Sequence, residues 1–103
     1  MELEVNRELV VSTGHITSEE NDLLSIACND DRFGILIDEY EEGYRIWTGT
    51  PNEHIDNFPT EDGKPNGLAN VKLLVILARA TDCKWLVLDR DGPTIDGFKQ
   101  FDW

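Results

Sequence analysis

Positive charge is what this chain has least of. Nine Lys and Arg stand against 21 Asp and Glu, a net charge of −12 over 103 residues. So few cations leave no basic stripe to hold phosphates, and direct binding to nucleic acid is disfavoured. Cysteine is scarce as well. Cys28 and Cys83 have no second pair and no CxxC spacing, so they read as reduced, buried thiols, with one disulfide as the alternative. His15 and His54 are isolated from each other and from both cysteines, which removes zinc-ligand spacing. No apolar run can span a bilayer; residues 73–78 fall far short of the roughly 20 needed. The opening MELEVNREL is acidic and lacks the basic start and apolar stretch of a secretory signal. A cytoplasmic protein without membrane contact is the expectation.

Apolar residues make up 40% of the chain and nine are aromatic, too many for a disordered acidic tail. The length suits one domain, residues 1–103, with a modest core. Its charge sets a further expectation. Duplex DNA presents one negative charge per ~1.7 Å of axis, so a charge of −12 matches about 20 Å of duplex, roughly six base pairs. A compact domain of this size has a radius of gyration of ~13 Å, enough to carry that charge on one face. Competition with nucleic acid for a basic partner follows as a hypothesis. Acidity for solubility is the plain alternative.

Local patterns predict a β-α-β-β-α-β order. Residues 8–13 (ELVVST) are β-branched and short, as a strand requires. Thr17 and Glu20 have capping-box spacing and predict a helix over Ser18–Cys28, with Leu23, Leu24 and Ala27 inward. Residues 33–40 and 44–48 flank Glu41-Glu42-Gly43 as a hairpin, with Gly43 supplying a positive φ. Phe33, Ile35 and Ile37 then share a face, as do Tyr44 and Ile46, leaving Arg45 and Trp47 opposite. The polar stretch 49–67 predicts a helical turn starting near Pro51 that packs Ile55 and Phe58. A second main helix is expected from about residue 66 to 81, covered on more than one side because residues 73–78 are apolar all round. Residues 84–89 (KWLVLD) read as a strand interior to the sheet, with Trp85 in the core. In the tail, Ile95, Phe98, Phe101 and Trp103 predict a fold-back that closes the core. The predicted architecture is α+β: a ferredoxin-like two-layer sandwich, one antiparallel sheet with two crossovers and both main helices on one face. An extra strand at residues 3–5 is the expected variation.

Few constellations carry chemistry. Asp89-Arg90-Asp91-Gly92 ends an apolar strand and resembles the first motif of haloacid-dehalogenase-like phosphatases, whose first Asp attacks phosphorus. Pro93 departs from that pattern, and only twelve residues follow Asp91, too few for the remaining catalytic groups. Thr94 and Gln100 stand where an EF-hand places Gly and Glu, so calcium fails too. The plain reading is a polar turn. Ser12, Ser18 and Ser25 lack a nucleophile-elbow setting, and no cofactor is implied. The acidic groups say more. Asp38, Glu39, Glu41 and Glu42 crowd one hairpin around Tyr40, while Glu19, Glu20 and Asp22 mark the first helix. Such crowding costs stability by repulsion, which folding alone does not require. A charged edge that blocks strand pairing is the alternative explanation.

VVSTGHIT at residues 10–17, WLVLDRDGPTIDGF at 85–98 and FDW at 101–103 resemble a family of small uncharacterised proteins. The shared motifs are an N-terminal STxH[IL]T and a C-terminal DxDGPxIDG…FDW. That resemblance implies plasmids and phages as the source and counter-defence as the setting, without an assigned activity. The resulting expectation is a small anti-CRISPR or anti-restriction inhibitor, not an enzyme, that occupies the basic groove of a CRISPR effector or restriction enzyme by DNA mimicry. Asp38, Glu39, Glu41, Glu42, Glu19, Glu20 and Asp22 would imitate phosphates, with Trp47 or Tyr40 as anchor, in a monomer or small homo-oligomer. The rivals are an acidic regulatory module without mimicry and a Mg-dependent hydrolase using Asp89 and Asp91.

Overall fold

The computed structural model describes residues 7–103, so the strand expected at residues 3–5 lies outside the described residues. The chain runs β1 (Glu8–Ser12), α1 (Ser18–Cys28), β2 (Ile37–Tyr40), β3 (Gly43–Trp47), α2 (Asn52–Asp56), α3 (Ala69–Ala80) and β4 (Trp85–Asp89). Each predicted element is present. The first strand of the hairpin is shorter than predicted: residues 31–33 form a 3-10 turn, and Gly34 at φ +67° breaks the extended run. Phe33, Ile35 and Ile37 still turn inward as the alternation requires.

The capping box forms as its spacing dictates. Thr17 Oγ1 accepts from the Glu20 N–H at 3.1 Å, and Glu20 Oε1 accepts from the Thr17 N–H at 3.0 Å. At the hairpin, Gly43 is needed for a steric reason. A Cβ there would lie 1.8 Å from the Leu88 carbonyl oxygen of the neighbouring strand.

The two-layer α+β sandwich stands, with one open sheet of order β1-β4-β3-β2. The expectation of an all-antiparallel sheet with two crossovers does not. β1 pairs with β4 in parallel, and the other two pairings are antiparallel. The cause is the segment between β3 and α3. Trp47, which ends β3, pairs with Trp85, which starts β4, so those ends coincide. α3 alone, about 18 Å long at 1.5 Å per residue, would bring β4 back parallel to β3. Residues 48–68 first carry the chain the length of the sheet, and α3 then returns it. β4 therefore runs against β3, and only the β1-α1-β2 connection joins strands of one direction.

Ile37, Ile46, Leu86, Tyr44, Leu88 and Val11 point toward the helices from successive rows of the sheet. There they meet Leu23, Leu24 and Ala27 of α1 and Val71, Leu74, Val75 and Ala78 of α3 in one core. Ile55 and Phe58 plug the end beside α2, as predicted, with the Phe58 ring 4.3 Å from that of Phe33. β4 is interior, as its apolar run requires. α3, however, is not covered all round: Leu73 and Ile76 are 55% and 44% exposed. Each leaves about 1–2 kcal/mol of burial unused.

The two terminal motifs clasp each other. The Ser12 N–H donates to Pro93 O at 2.8 Å and the Phe101 N–H to Gly14 O at 2.7 Å. Trp103 Nε1 donates to Ile16 O at 2.9 Å. His15 is buried between them. Its Nε2 accepts from the Ile95 N–H at 2.8 Å, so Nδ1 carries the proton and donates to Lys99 O at 2.9 Å. Both ring nitrogens are thus occupied by backbone, as a structural turn histidine requires. The tail folds back, but Trp103 does not close the core: its ring is tethered at the surface and 55% exposed.

Candidate partner-binding surface

Among the described residues β2 pairs with β3 alone, so the acidic hairpin lies along an edge of the sheet. Alternation divides its side chains between the two faces of the sheet. On the face without helices, successive rows are Trp47-Trp85-Glu8, Asp38-Arg45-Val87-Val10 and Tyr40-Gly43-Asp89. Trp47, Tyr40 and Val10 are exposed there at 41%, 37% and 38%. Trp85, expected in the core, is half-buried on this open face, beneath the guanidinium of Arg45, whose Cζ sits 3.9 Å from the ring centroid. The open face has an apolar floor in which Val87 is buried and the Trp85 ring half-buried, so the second side of β4 is covered in part.

Carboxylates frame that floor. Tyr40 lies close to Asp89, Glu42 and Glu8; partial burial first, and then those charges, push its hydroxyl pKa up. Arg45 bonds Glu8 at 3.0 Å across the face. The other side of the hairpin meets α1. There the Tyr44 hydroxyl donates to Asn21 O at 3.1 Å, and burial, with Glu39 next, raises its pKa. Cys28, at the end of α1, has its thiol pushed up to about 11, by burial first and then by Glu39 and Asp38. It is half-buried and free, while Cys83 is buried and free. The structure therefore brings Glu39 to the α1 side of the hairpin, while Asp38, on the other face, acts on Cys28 through its charge, and Asp22 lies close enough to Tyr44 to act on it.

At the hairpin tip, Glu39, Glu41, Glu42, Tyr40, Tyr44, Arg90 and Trp103 line an open cleft of about 260 Å³. Trp103 is an aromatic neighbour that sequence spacing did not supply, because about 60 residues separate it from the hairpin. Trp47 does not join this cleft. It lies at the far end of β3, about 13 Å from the tip at ~3.3 Å per residue, and packs on Gly49, where a Cβ would fall 2.4 Å from its ring.

Two helix residues leave the predicted group. Glu19 sits on the other flank of α1, its Oε1 accepting from the Glu61 N–H at 3.1 Å. Glu20 is buried at 3% exposure and cannot meet a partner. Its carboxylate accepts from the Thr17 N–H and hydroxyl, from the Asn70 N–H and Nδ2, and from the Val71 N–H, at 2.8–3.3 Å. α3 has no side-chain cap of its own, and Glu20 supplies one from α1. One anion thus serves the positive ends of two helix dipoles.

Few carboxylates are neutralised. Among the described residues the ion pairs are Arg32–Asp30, Arg45–Glu8 and Lys72–Asp56. Arg79 goes to the backbone instead, Nε donating to Thr48 O at 2.7 Å and Nη2 to Thr50 O at 2.5 Å. Asp38, Glu39, Glu41 and Glu42 of the hairpin form none of these pairs. At the end of β4, Asp89 Oδ1 accepts from the Asp91 N–H at 2.8 Å, the bond of a polar turn. Among the described residues no three His, Cys, Asp or Glu are grouped to hold a metal ion, and no helix is long and apolar enough to cross a membrane.

Residues 8–103 match the family model described as the C-terminal domain of a family of unknown function, DUF5983. The chain belongs to that family. The match takes in both terminal motifs and the hairpin between them, so clasp and acidic surface both lie inside the DUF5983 region. No curated protein and no solved structure matches the chain.

Proposed function

We propose that this DUF5983 chain is a binding protein that inhibits a nucleic-acid-handling effector by occupying its cationic groove. The observation that carries the reading is the gathering of unpaired carboxylates and exposed aromatic rings around the hairpin and along the open face of the sheet. Asp38, Glu41, Glu42 and Asp89 supply negative charge, and Tyr40, Trp47 and Trp103 supply apolar contact beside it. A duplex offers a cationic groove spaced charge, and an unwound strand adds stackable rings. Aromatic anchors ringed by charge also suit a protein interface, in which electrostatics sets the rate of encounter and buried rings hold the complex.

The resemblance of the terminal motifs supports a plasmid or phage setting, and hence a CRISPR effector or restriction enzyme in the host cytoplasm as target. Glu39 and Asp22 extend the acidic surface around the edge of β2, while Glu20 and Glu19 stand apart from it. No catalytic step is assigned to the chain.

Binding to a panel of CRISPR effectors and restriction enzymes, at low and high salt, tests the proposal. Association should be fast and weaken at least ~10-fold at high salt. Replacing Glu41 and Glu42 with Lys should abolish it. Absence of binding across the panel, or binding indifferent to both salt and charge reversal, would favour a regulatory module whose acidity serves solubility.

A further inference from the structure

We infer that the outer stripe of α3 is a self-association surface, and that its occupant is the same stripe of a second copy of this chain, lying antiparallel. This goes beyond the inhibitor reading and uses the other side of the molecule.

α3 carries two apolar stripes. Val71, Leu74, Val75 and Ala78 face the sheet and are buried. Leu73, Ile76, Leu77 and Ala80 repeat the i, i+3, i+4, i+7 spacing of a packed helix face, but they point outward. With Phe98 of the tail they line an open groove of about 410 Å³. One apolar stripe is what folding the domain needs; the second has helix-packing periodicity and nothing beyond the tail to pack on among the described residues.

Charge selects the face through which two copies can meet. Residues 69–80 contain no carboxylate, in a chain of net charge −12. Their two cations are already used, Lys72 on Asp56 and Arg79 on the backbone of Thr48 and Thr50. The stripe itself is therefore neutral, with Lys99 of the tail as the charged side chain lining its groove. Two copies meeting through the hairpin or α1 would set like charges against each other. Meeting through α3 keeps the carboxylates apart while burying the exposed Leu73 and Ile76.

The side chains also fit a two-fold axis. An antiparallel pair centred between residues 76 and 77 places Leu73 against Ala80 of the second copy and Ile76 against its Leu77. Large meets small at each end, and the Ala80 contact lets the helices approach to about 8–10 Å.

Sedimentation equilibrium of the intact chain over a wide concentration range reads the outcome. The expected result is reversible growth from 11.7 kDa to twice that mass. Dimer formation should strengthen as salt rises, because screening relieves repulsion between the acidic copies. That sign is opposite to the one expected for effector binding, so failure of one proposal is distinguishable from failure of the other. Ile76→Glu should keep the helical circular dichroism, since the residue is exposed, and weaken the dimer by at least ~100-fold. Ile76→Leu should preserve it, and Glu41→Lys should not weaken it. A chain that stays at 11.7 kDa at high concentration and high salt overturns the inference. So does a dimer that survives Ile76→Glu. Enhanced fluorescence of anilinonaphthalene sulfonate on a strictly monomeric chain would assign the groove to a small apolar ligand instead.

Discussion

The open face of the sheet and the outer face of α3 are both unpaired surfaces with apolar side chains, yet they differ in what surrounds those side chains. On the sheet, Trp47, Tyr40 and Val10 sit among Asp38, Glu8, Glu42 and Asp89. On α3, Leu73 and Ile76 sit in a twelve-residue helix without a carboxylate. Charged rims give specificity and speed of encounter toward an opposite charge; a neutral apolar stripe gives contact area without choosing a sign. Exposed apolar surface thus has two meanings in one small domain. The fold makes room for both by putting α1 and α3 on one face of the sheet and, among the described residues, no helix on the other.

Glu20 is the acidic residue that crosses this division, and its removal should have the largest effect. Glu20→Ala strips the cap from α3 and leaves the Asn70 and Val71 N–H groups unsatisfied in a buried site. A loss of about 3 kcal/mol is expected, which for a domain of this size is a fall in Tm of roughly 15 °C. Neighbouring Asp22→Asn, at an exposed site, should change stability by less than about 0.5 kcal/mol. Thermal melts of the two variants check the contrast; equal losses would erase the distinction between inward and outward carboxylates.

Charge reversal sharpens the comparison from the acidic side. Glu41→Lys with Glu42→Lys should leave the melting temperature within a few degrees of the parent, because the hairpin tip buries little. Partner binding should disappear, with dimer formation through α3 unweakened. Calorimetry and binding on the same sample separate those effects.

A smaller effect reports how close the hairpin lies to α1. With its thiol pushed up to about 11, Cys28 stays protonated where an ordinary cysteine ionises. Its alkylation should rise with a midpoint near that value in the folded chain, against about 9.0 when unfolded. The folded state holds the proton more tightly, so this contribution to stability is intact below the unfolded value and is lost as pH climbs through the folded one. Glu39→Gln should move the midpoint down. Smallest of all, Asp89→Asn should let Tyr40 ionise at a lower pH, read from phenolate absorbance.

Local signals were legible where the cause is local. Thr17 and Glu20 announce α1 by spacing alone, and Ile55 and Phe58 announce the plug at α2. What depends on distant contacts was not. Glu20 caps a helix about fifty residues away, which no window around Thr17 can reveal, so it read as one more surface acid. The parallel pairing of β1 with β4 depends on the path taken by residues 48–68, a stretch of turn formers with no directional pattern. Trp85 looked internal because Leu86, Val87 and Leu88 follow it, although alternation sends Trp85 and Val87 to the open face. Of the candidate surface, the hairpin acids were legible from their crowding. Trp103 and Asp89 entered only through the chain's return.

Displacement of labelled duplex DNA from a CRISPR effector or restriction enzyme tests the role of the acidic face most directly. The unmodified chain should release the duplex, with a midpoint that moves to higher concentration as salt rises, and the Glu41→Lys, Glu42→Lys chain should release none. Release by both chains alike, or a stable complex in which effector, duplex and this protein coexist, would contradict the account.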